Sequence, residues 1–489
     1  MAFGVDVRRF VTGIVAIACT ASLVWFGTGL DPWWPLFWLA PVPVLLFSHR
    51  ASWWGTAVVA ALAWLVGYLN MWHYYFGVIH IPPVMLACIY AGQSLMFALA
   101  VLLYRALLRR AHHWVALLAL PAAWVSFEYL LDATWPHGTA GSLAYSQLAF
   151  LPFLQLASVT GPWGMSFLLL LFPASLAIGF HLRSAASRRA LHIVASSVGV
   201  LVLVLAFGTA RLASSDAGPR VKVGLIASDA PTSPAVADEG EPTTRLFQAY
   251  ADQAAKLALR GAQVIVLPEK LGVAVDPDTH EMDALFQAVA DQTRARVVVG
   301  LIHVAAPAKY NEARVYAPAA PVQAYAKHHM LPPFESNLEP GTTLTLLPDA
   351  SGIWGVEICK DMDFTPLSRE YGRAGAGLML VPAWDFDLDR TWHGHIALMR
   401  GVEGGFSIVR AAKQGYLTVS DNRGRIVAEA RSDSAPFATL IADVPVAHAA
   451  TFYVRFGNWF AWLALLLCAF AILRCVGRGG RAGFANRKH

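Results

Sequence analysis

Gly352-Ile353-Trp354-Gly355-Val356-Glu357-Ile358-Cys359-Lys360-Asp361 is an apolar run that reads as a buried strand and stops on a cysteine followed by two charges. Of the five cysteines, Cys19, Cys88, Cys468 and Cys475 lie in or at the edge of long apolar segments, so Cys359 stands by itself in the polar part of the chain. It has no disulfide partner there. An unpaired cysteine is usually a small, inert core residue, and a reactive one needs a perturbed thiol within reach of substrate. The company that Cys359 keeps elsewhere in the chain favours a catalytic nucleophile.

The composition places the chain among membrane proteins: 489 residues, 56% hydrophobic, 14% charged, with 17 tryptophans. Crossing a bilayer takes about 20 apolar residues. Runs of that kind stand at roughly 10–29, 33–48, 54–72, 83–104, 114–131, 163–182, 191–210 and 458–474, about eight spans in all. The second is short and interrupted by Pro41 and Pro43. The first run leads directly into further spans without a small-residue cleavage site, which fits an uncleaved helix better than a signal peptide, despite Arg8-Arg9-Phe10.

Orientation follows from the basic residues, which short loops retain on the cytoplasmic side. Arg8, Arg9, Arg50, Arg105, Arg109, Arg110, Arg183, Arg188 and Arg189 fall in alternate connections, and Arg474, Arg478, Arg481, Arg487 and Lys488 follow the last span. The loops at 30–32, 73–82 and 132–162 have no Lys or Arg. The expectation is a polytopic protein with both termini in the cytoplasm. It has a transmembrane part at 1–210, an extracytoplasmic domain at 211–456, and a last span with a basic tail at 457–489. These topology signals account for the net charge of +5, and no basic surface points to nucleic acid. No histidine spacing points to a metal: His393 and His395, two apart in a helical segment, do not share a face.

Within 211–456 strand and helix alternate. Strands read at 221–226, 263–267, 296–303, 316–326, 353–358, 377–381, 407–410, 417–419 and 425–428, and helices at 243–259, 280–293, 366–374 and 391–401. About 245 residues of this kind make one layered α/β domain. Chemistry in such sheets collects at strand ends. Three strand ends carry candidates: Pro268-Glu269-Lys270, Tyr325-Ala326-Lys327-His328-His329, and Cys359. A carboxylate, an amine and a thiol suffice for acyl transfer, with Glu269 as general base, Cys359 as thioester-forming nucleophile and Lys327 facing the developing oxyanion. Taken alone, Glu269 and Lys327 read better as an ordinary surface ion pair than as catalytic groups, and Arg400 and Glu403, at i and i+3, better as a structural pair.

At these residues the chain resembles the nitrilase, or carbon-nitrogen hydrolase, superfamily. The resemblance rests on Leu267-Pro268-Glu269, Tyr310-Asn311, the run from Tyr325 to Glu335, Val356-Glu357-Ile358-Cys359, Pro382-Ala383-Trp384, the segment His395 to Glu403 and Asp421-Asn422-Arg423-Gly424-Arg425-Ile426. It implies a four-layer α-β-β-α sandwich with a Glu-Lys-Cys triad. A nitrilase domain inserted before the last span resembles, over the whole chain, the apolipoprotein N-acyltransferase family of the bacterial inner membrane.

That resemblance implies Glu269, Lys327 and Cys359 as the triad, Glu335 as the carboxylate orienting the lysine, and supporting places for Asp361 and for Trp384, which lines the pocket. It also implies a phospholipid acyl donor, a diacylglyceryl apolipoprotein acceptor and no cofactor. Lys360-Asp361 stand where the family commonly has Tyr-Glu. Lys327 and Cys359 stand 32 residues apart, a shorter interval than the family's, and the loop at 228–240 has no tryptophan. The alternative activity is a membrane-tethered amidase or nitrilase in which water resolves the thioester.

Overall fold

The computed structural model describes residues 7–184, 186–214, 218–229, 239–446 and 448–477. Most of the 228–240 loop and the tail residues Arg478, Arg481, Arg487 and Lys488 lie outside them. The chain forms two compact units. One holds the residues up to Thr134, those from Gly141 to Ala210 and those from Asn458 on; the other holds Trp135–Ala140 and Arg211–Gly457. The hexapeptide Trp135–Ala140, read from sequence as part of an interspan loop, thus belongs with the α/β unit.

In the helical unit, seven helices among the described residues are long and apolar enough to cross a membrane: Val7–Gly27, Trp53–Met71, Pro83–Arg109, His113–Thr134, Pro162–Leu182, Ser187–Ala213 and Trp459–Val476. The remaining expected span, at 33–48, is not one continuous helix. It breaks into a 3-10 turn, Trp34–Leu39, and a seven-residue helix, Val42–Ser48. Its prolines explain the break, since each removes an N–H and crowds the preceding turn.

Among the described residues the other unit contains thirteen strands in two sheets. In chain order these are β1 (Arg220–Ala227), β2 (Val264–Val266), β3 (Val273–Val275), β4 (Arg296–Ala305), β5 (Ala308–Tyr316), β6 (Gln323–Ala326), β7 (Leu346–Asp349), β8 (Gly352–Val356), β9 (Ala376–Trp384), β10 (Ser407–Lys413), β11 (Tyr416–Ser420), β12 (Ile426–Arg431) and β13 (Ala438–Pro445). The first sheet runs β13-β1-β2-β4-β5-β6, with β3 also paired to β4; the second runs β12-β11-β10-β9-β8-β7. The expected single strand at 316–326 is instead the end of β5, a turn and β6, which pair antiparallel with Glu312 opposite Ala326. Three strands had no counterpart in the sequence reading: β3, β7 and β13.

Side-chain alternation builds four layers, because successive strand residues point to opposite faces. Val221, Val223 and Leu225 of β1 meet Trp354, Val356, Leu378, Leu380 and Val409 of the second sheet in an inter-sheet core. The intervening Ile226, with Ile265, Val297 and Val299, packs outward on Phe247, Tyr250 and Phe286 of the helices Glu241–Leu259 and Thr279–Thr293. On the far side Met379, Val381 and Ile408 pack on Leu367, Tyr371 and Ala397 of the helices Thr365–Arg373 and Trp392–Gly404. The result is an α-β-β-α sandwich, so the chain combines a nitrilase-like α/β fold with an α-helical polytopic unit.

Candidate active site

Glu269 follows β2 through Leu267-Pro268, Lys327 follows β6, and Cys359 opens a 3-10 turn, Cys359–Asp363, just after β8. The Glu269 N–H donates to the Ala383 carbonyl of β9 at 3.2 Å, tying the end of one sheet to the other. Gly300 of β4 makes the close approach possible. A Cβ there would lie 2.3 Å from the Pro268 carbonyl oxygen and 2.6 Å from the Glu269 Cα.

The three side chains line one cavity of about 560 Å³. Lys327 Nζ donates to Glu269 Oε1 at 2.8 Å and to Glu335 Oε2 and Oε1 at 2.9 and 3.1 Å. Burial alone would lower the lysine's pKa, but the two carboxylates outweigh it and hold the group well above its ordinary value. Glu335, though buried, is driven below the usual carboxylate range by Lys327 and by Lys270, whose Nζ lies 2.7 Å from its Oε1. Asn311 Nδ2 bridges the two acids, at 2.6 Å to Glu269 Oε1 and 2.8 Å to Glu335 Oε1.

Cys359 is half-buried and left-handed, φ 45°, a conformation that costs energy for a non-glycine residue. Its thiol is pushed well above the ordinary range, first by burial and then by the Glu269 carboxylate, with Lys327 and Arg410 opposing. Cys359 therefore rests as a neutral thiol beside a carboxylate, a pair with the chemistry for proton transfer during a nucleophilic attack. The thiol donates to the Trp384 carbonyl at 3.5 Å. Trp384 also lines the cavity, its indole held by Gln414 Oε1 at 2.8 Å.

Asp361 is completely buried and knits two loops together. It accepts from the Ile358 N–H at 3.2 Å, the His329 N–H at 2.9 Å and the Tyr325 hydroxyl at 2.8 Å, which joins the nucleophile's turn to the segment bearing Lys327. Lys360 neither faces solvent nor sits against the thiol. It is buried and donates to the carbonyls of Pro136 and Met330 at 2.7 and 2.8 Å, with its pKa lowered by burial to about 8.

Two family profiles match the chain: the apolipoprotein N-acyltransferase N-terminal domain over residues 14–175 and carbon-nitrogen hydrolase over residues 226–452. An apolipoprotein N-acyltransferase from Geobacter metallireducens is 29% identical over 71% of this chain and 71% of its own length. One from Haemophilus ducreyi is 24% identical over 86% and 88%. The chain belongs to the apolipoprotein N-acyltransferase family. It is an enzyme, an acyltransferase built on a nitrilase-type domain. Among solved structures, an amidase of the nitrilase superfamily from Nesterenkonia aligns with a TM-score of 0.41 at 19% identity, covering 48% of this chain and 93% of that one. The amidase alternative draws no support from the relatives named here.

Several residues at the candidate site had no role in the sequence reading. Asn311 was part of the matching text, but its bridge appears only when β5 pairs with β6. Lys270, next to Glu269, is a second cation on Glu335. Arg410 and Asp385 form a buried pair, Nη1 to Oδ2 at 2.7 Å, next to the thiol. His393 is half-buried between Asp389 at 3.1 Å and Asp363 at 3.7 Å.

Replacing Gly300→Ala pushes Glu269 off its position. Steady-state acyl transfer is expected to fall about 100-fold, the cost of a displacement near 1 Å, while circular dichroism stays native. His393 supplies a pH test. Burial would lower its pKa, yet Asp389 and Asp363 raise it to about 10. Because the folded value exceeds the unfolded one, its stabilisation is complete below about pH 6.5 and disappears as pH rises through about 10. Thermal melting of the native protein and His393→Gln should differ most near pH 6 and converge toward pH 10.

Proposed function

We propose that Cys359 takes an acyl chain from a phospholipid and passes it to the α-amino group of a diacylglyceryl-cysteine lipoprotein. The observation that carries this reading is the cavity, with Glu269, Lys327 and Cys359 at its polar end and Val273, Val275, Ile302, Val304, Leu331 and Phe334 among its walls. At its edge Phe334, 44% exposed, packs on Phe386 with ring centroids 5.6 Å apart. Such walls suit an acyl chain and exclude water, so that an amine, not hydroxide, resolves the thioester.

In the first half-reaction Glu269 accepts the thiol proton as sulfur attacks the ester carbonyl. The oxyanion faces Lys327, which its two carboxylates keep protonated. Collapse breaks the acyl C–O bond, and Glu269 returns the proton to the departing lysophospholipid. In the second half-reaction the acceptor amine attacks the thioester. Glu269 takes the amine proton, the C–S bond breaks, and the proton returns to sulfur. Glu335 and Asn311 orient Lys327 and Glu269, Asp361 keeps their loops in register, and Trp384 offers its carbonyl to the resting thiol and its ring to the cavity.

This is a bacterial membrane protein, and we assign it to the inner membrane with both termini in the cytoplasm and the α/β unit on the periplasmic face. The assignment rests on the loops at 30–32, 73–82 and 132–162, which hold no Lys or Arg, against basic residues in every alternate connection.

Intact-mass spectrometry of protein incubated with phospholipid vesicles should find one acyl mass added to the native chain and none to Cys359→Ala. A diacylated lipopeptide with a free amino terminus should then remove that mass and acquire it. Release of free fatty acid in place of peptide acylation would overturn the transferase assignment. Glu335→Gln should slow thioester formation at least tenfold, because Lys327 loses a charge partner.

A further inference from the structure

The helical unit contains a second cavity, about 600 Å³, that shares no lining residue with the catalytic one. Three chain segments converge on it and each brings a guanidinium: Arg9 from the first helix, Arg50 after the Val42–Ser48 helix, and Arg183 after the Pro162–Leu182 helix. His49 and His181 also line it, and among the described residues no aspartate or glutamate does. We propose that this cavity binds the phosphate headgroup of a net-anionic phospholipid.

The charge argument comes first. Arg50 and Arg183 bring two cations to one hollow where an anion would relieve their repulsion, and guanidinium groups match phosphate oxygens in geometry as well as sign. Basic pockets between spanning helices are where anionic headgroups bind. Positive-inside topology would place these arginines on one side of the bilayer, but it does not require them to share a cavity.

The site is also built in advance. Arg105, itself buried, donates to the Ser48 and Ala51 carbonyls at 3.0 and 2.6 Å, which fixes the turn carrying His49 and Arg50. His49 Nε2 lies 2.9 Å from the Tyr104 hydroxyl, and its ring meets that of His181 edge-on at 4.9 Å. Arg183 lies over the Phe180 ring, 3.7 Å from its centroid.

The walls choose the occupant. Val15 and Phe180 line the cavity and are 53% and 47% exposed on apolar spanning helices, so the hollow continues onto a surface suited to acyl chains. Free phosphate would satisfy the cations and leave that wall unused. A zwitterionic headgroup would bring an ammonium into a lining with no carboxylate to receive it.

The test uses the full chain extracted from vesicles of equal phosphatidylglycerol and phosphatidylethanolamine with identical acyl chains, read by native mass spectrometry. Phosphatidylglycerol should be retained preferentially, and Arg50→Gln and Arg183→Gln should each reduce that retention about fivefold. Their dependence separates this site from lipid held near Cys359, where acylation should continue. Equal retention of the two lipids, or retention indifferent to both substitutions, overturns the proposal. Displacement of the lipid by millimolar inorganic phosphate would make this a free-anion site. If the variants do not accumulate, melting of the unsubstituted protein decides: phosphatidylglycerol should raise the midpoint where phosphatidylethanolamine and phosphate do not, and identical midpoints overturn it.

Discussion

Lys327 is almost completely buried, and the rest of the catalytic end is arranged so that it keeps its charge. An isolated ammonium in such a place would lose its proton, because desolvation penalises the charged form by several kcal/mol. Glu269 and Glu335 reverse that outcome, and each then needs partners of its own. Asn311 serves both, Lys270 balances Glu335, and the Leu331 N–H donates to Glu335 Oε2 at 2.8 Å. Two carboxylates and two ammonium groups thus make a nearly neutral cluster in which one lysine remains a fixed positive charge. Burial first, and then the same Glu269 carboxylate that helps hold Lys327 protonated, raises the neighbouring Cys359 thiol.

Holding that cluster takes both sheets. Glu269 and Lys327 leave the first sheet, and Cys359 leaves the second. The inter-sheet core of Val223, Val356 and Leu380 sets how far apart the sheets lie, and the bond from Glu269 N–H to the Ala383 carbonyl sets where their ends meet. The left-handed backbone at Lys270 and at Cys359 is the local cost of turning two side chains back toward one point. Asp361 compensates for part of it by accepting hydrogen bonds from both the Ile358 N–H just before Cys359 and the Tyr325 hydroxyl of the strand before Lys327.

Much of this was legible in the sequence, for physical reasons that differ by element. Long apolar runs and arginine placement depend on local composition, so the spanning helices read directly, and the exception was 33–48, where prolines cut one run in two. Strands buried on both faces, such as β4 and β9, read as unbroken apolar stretches. β3 is three residues long and β13 carries alternating exposed positions, so neither rose above its surroundings. Glu269, Lys327 and Cys359 stood out as candidates because three chemically distinct residues each sat at a strand end. Asn311, Lys270 and Arg410 did not, since their roles come from cross-strand register and from pairings up to 65 residues apart, which no single stretch encodes.

Lys360 carries the comparison furthest. As a cation next to the nucleophile in sequence, it invites the idea that it lowers the thiol's pKa. In the fold the left-handed residue before it sends its side chain elsewhere, to the carbonyls of Pro136 and Met330, while the thiol remains raised. Met330 belongs to the loop that delivers Glu335, and Pro136 to the hexapeptide that joins the α/β unit. An ammonium can satisfy two carbonyls at once where a phenol donates a single hydrogen bond. A lysine in the place of the family's aromatic therefore acts on the geometry around Cys359, through backbone carbonyls, and leaves the proton chemistry to Glu269.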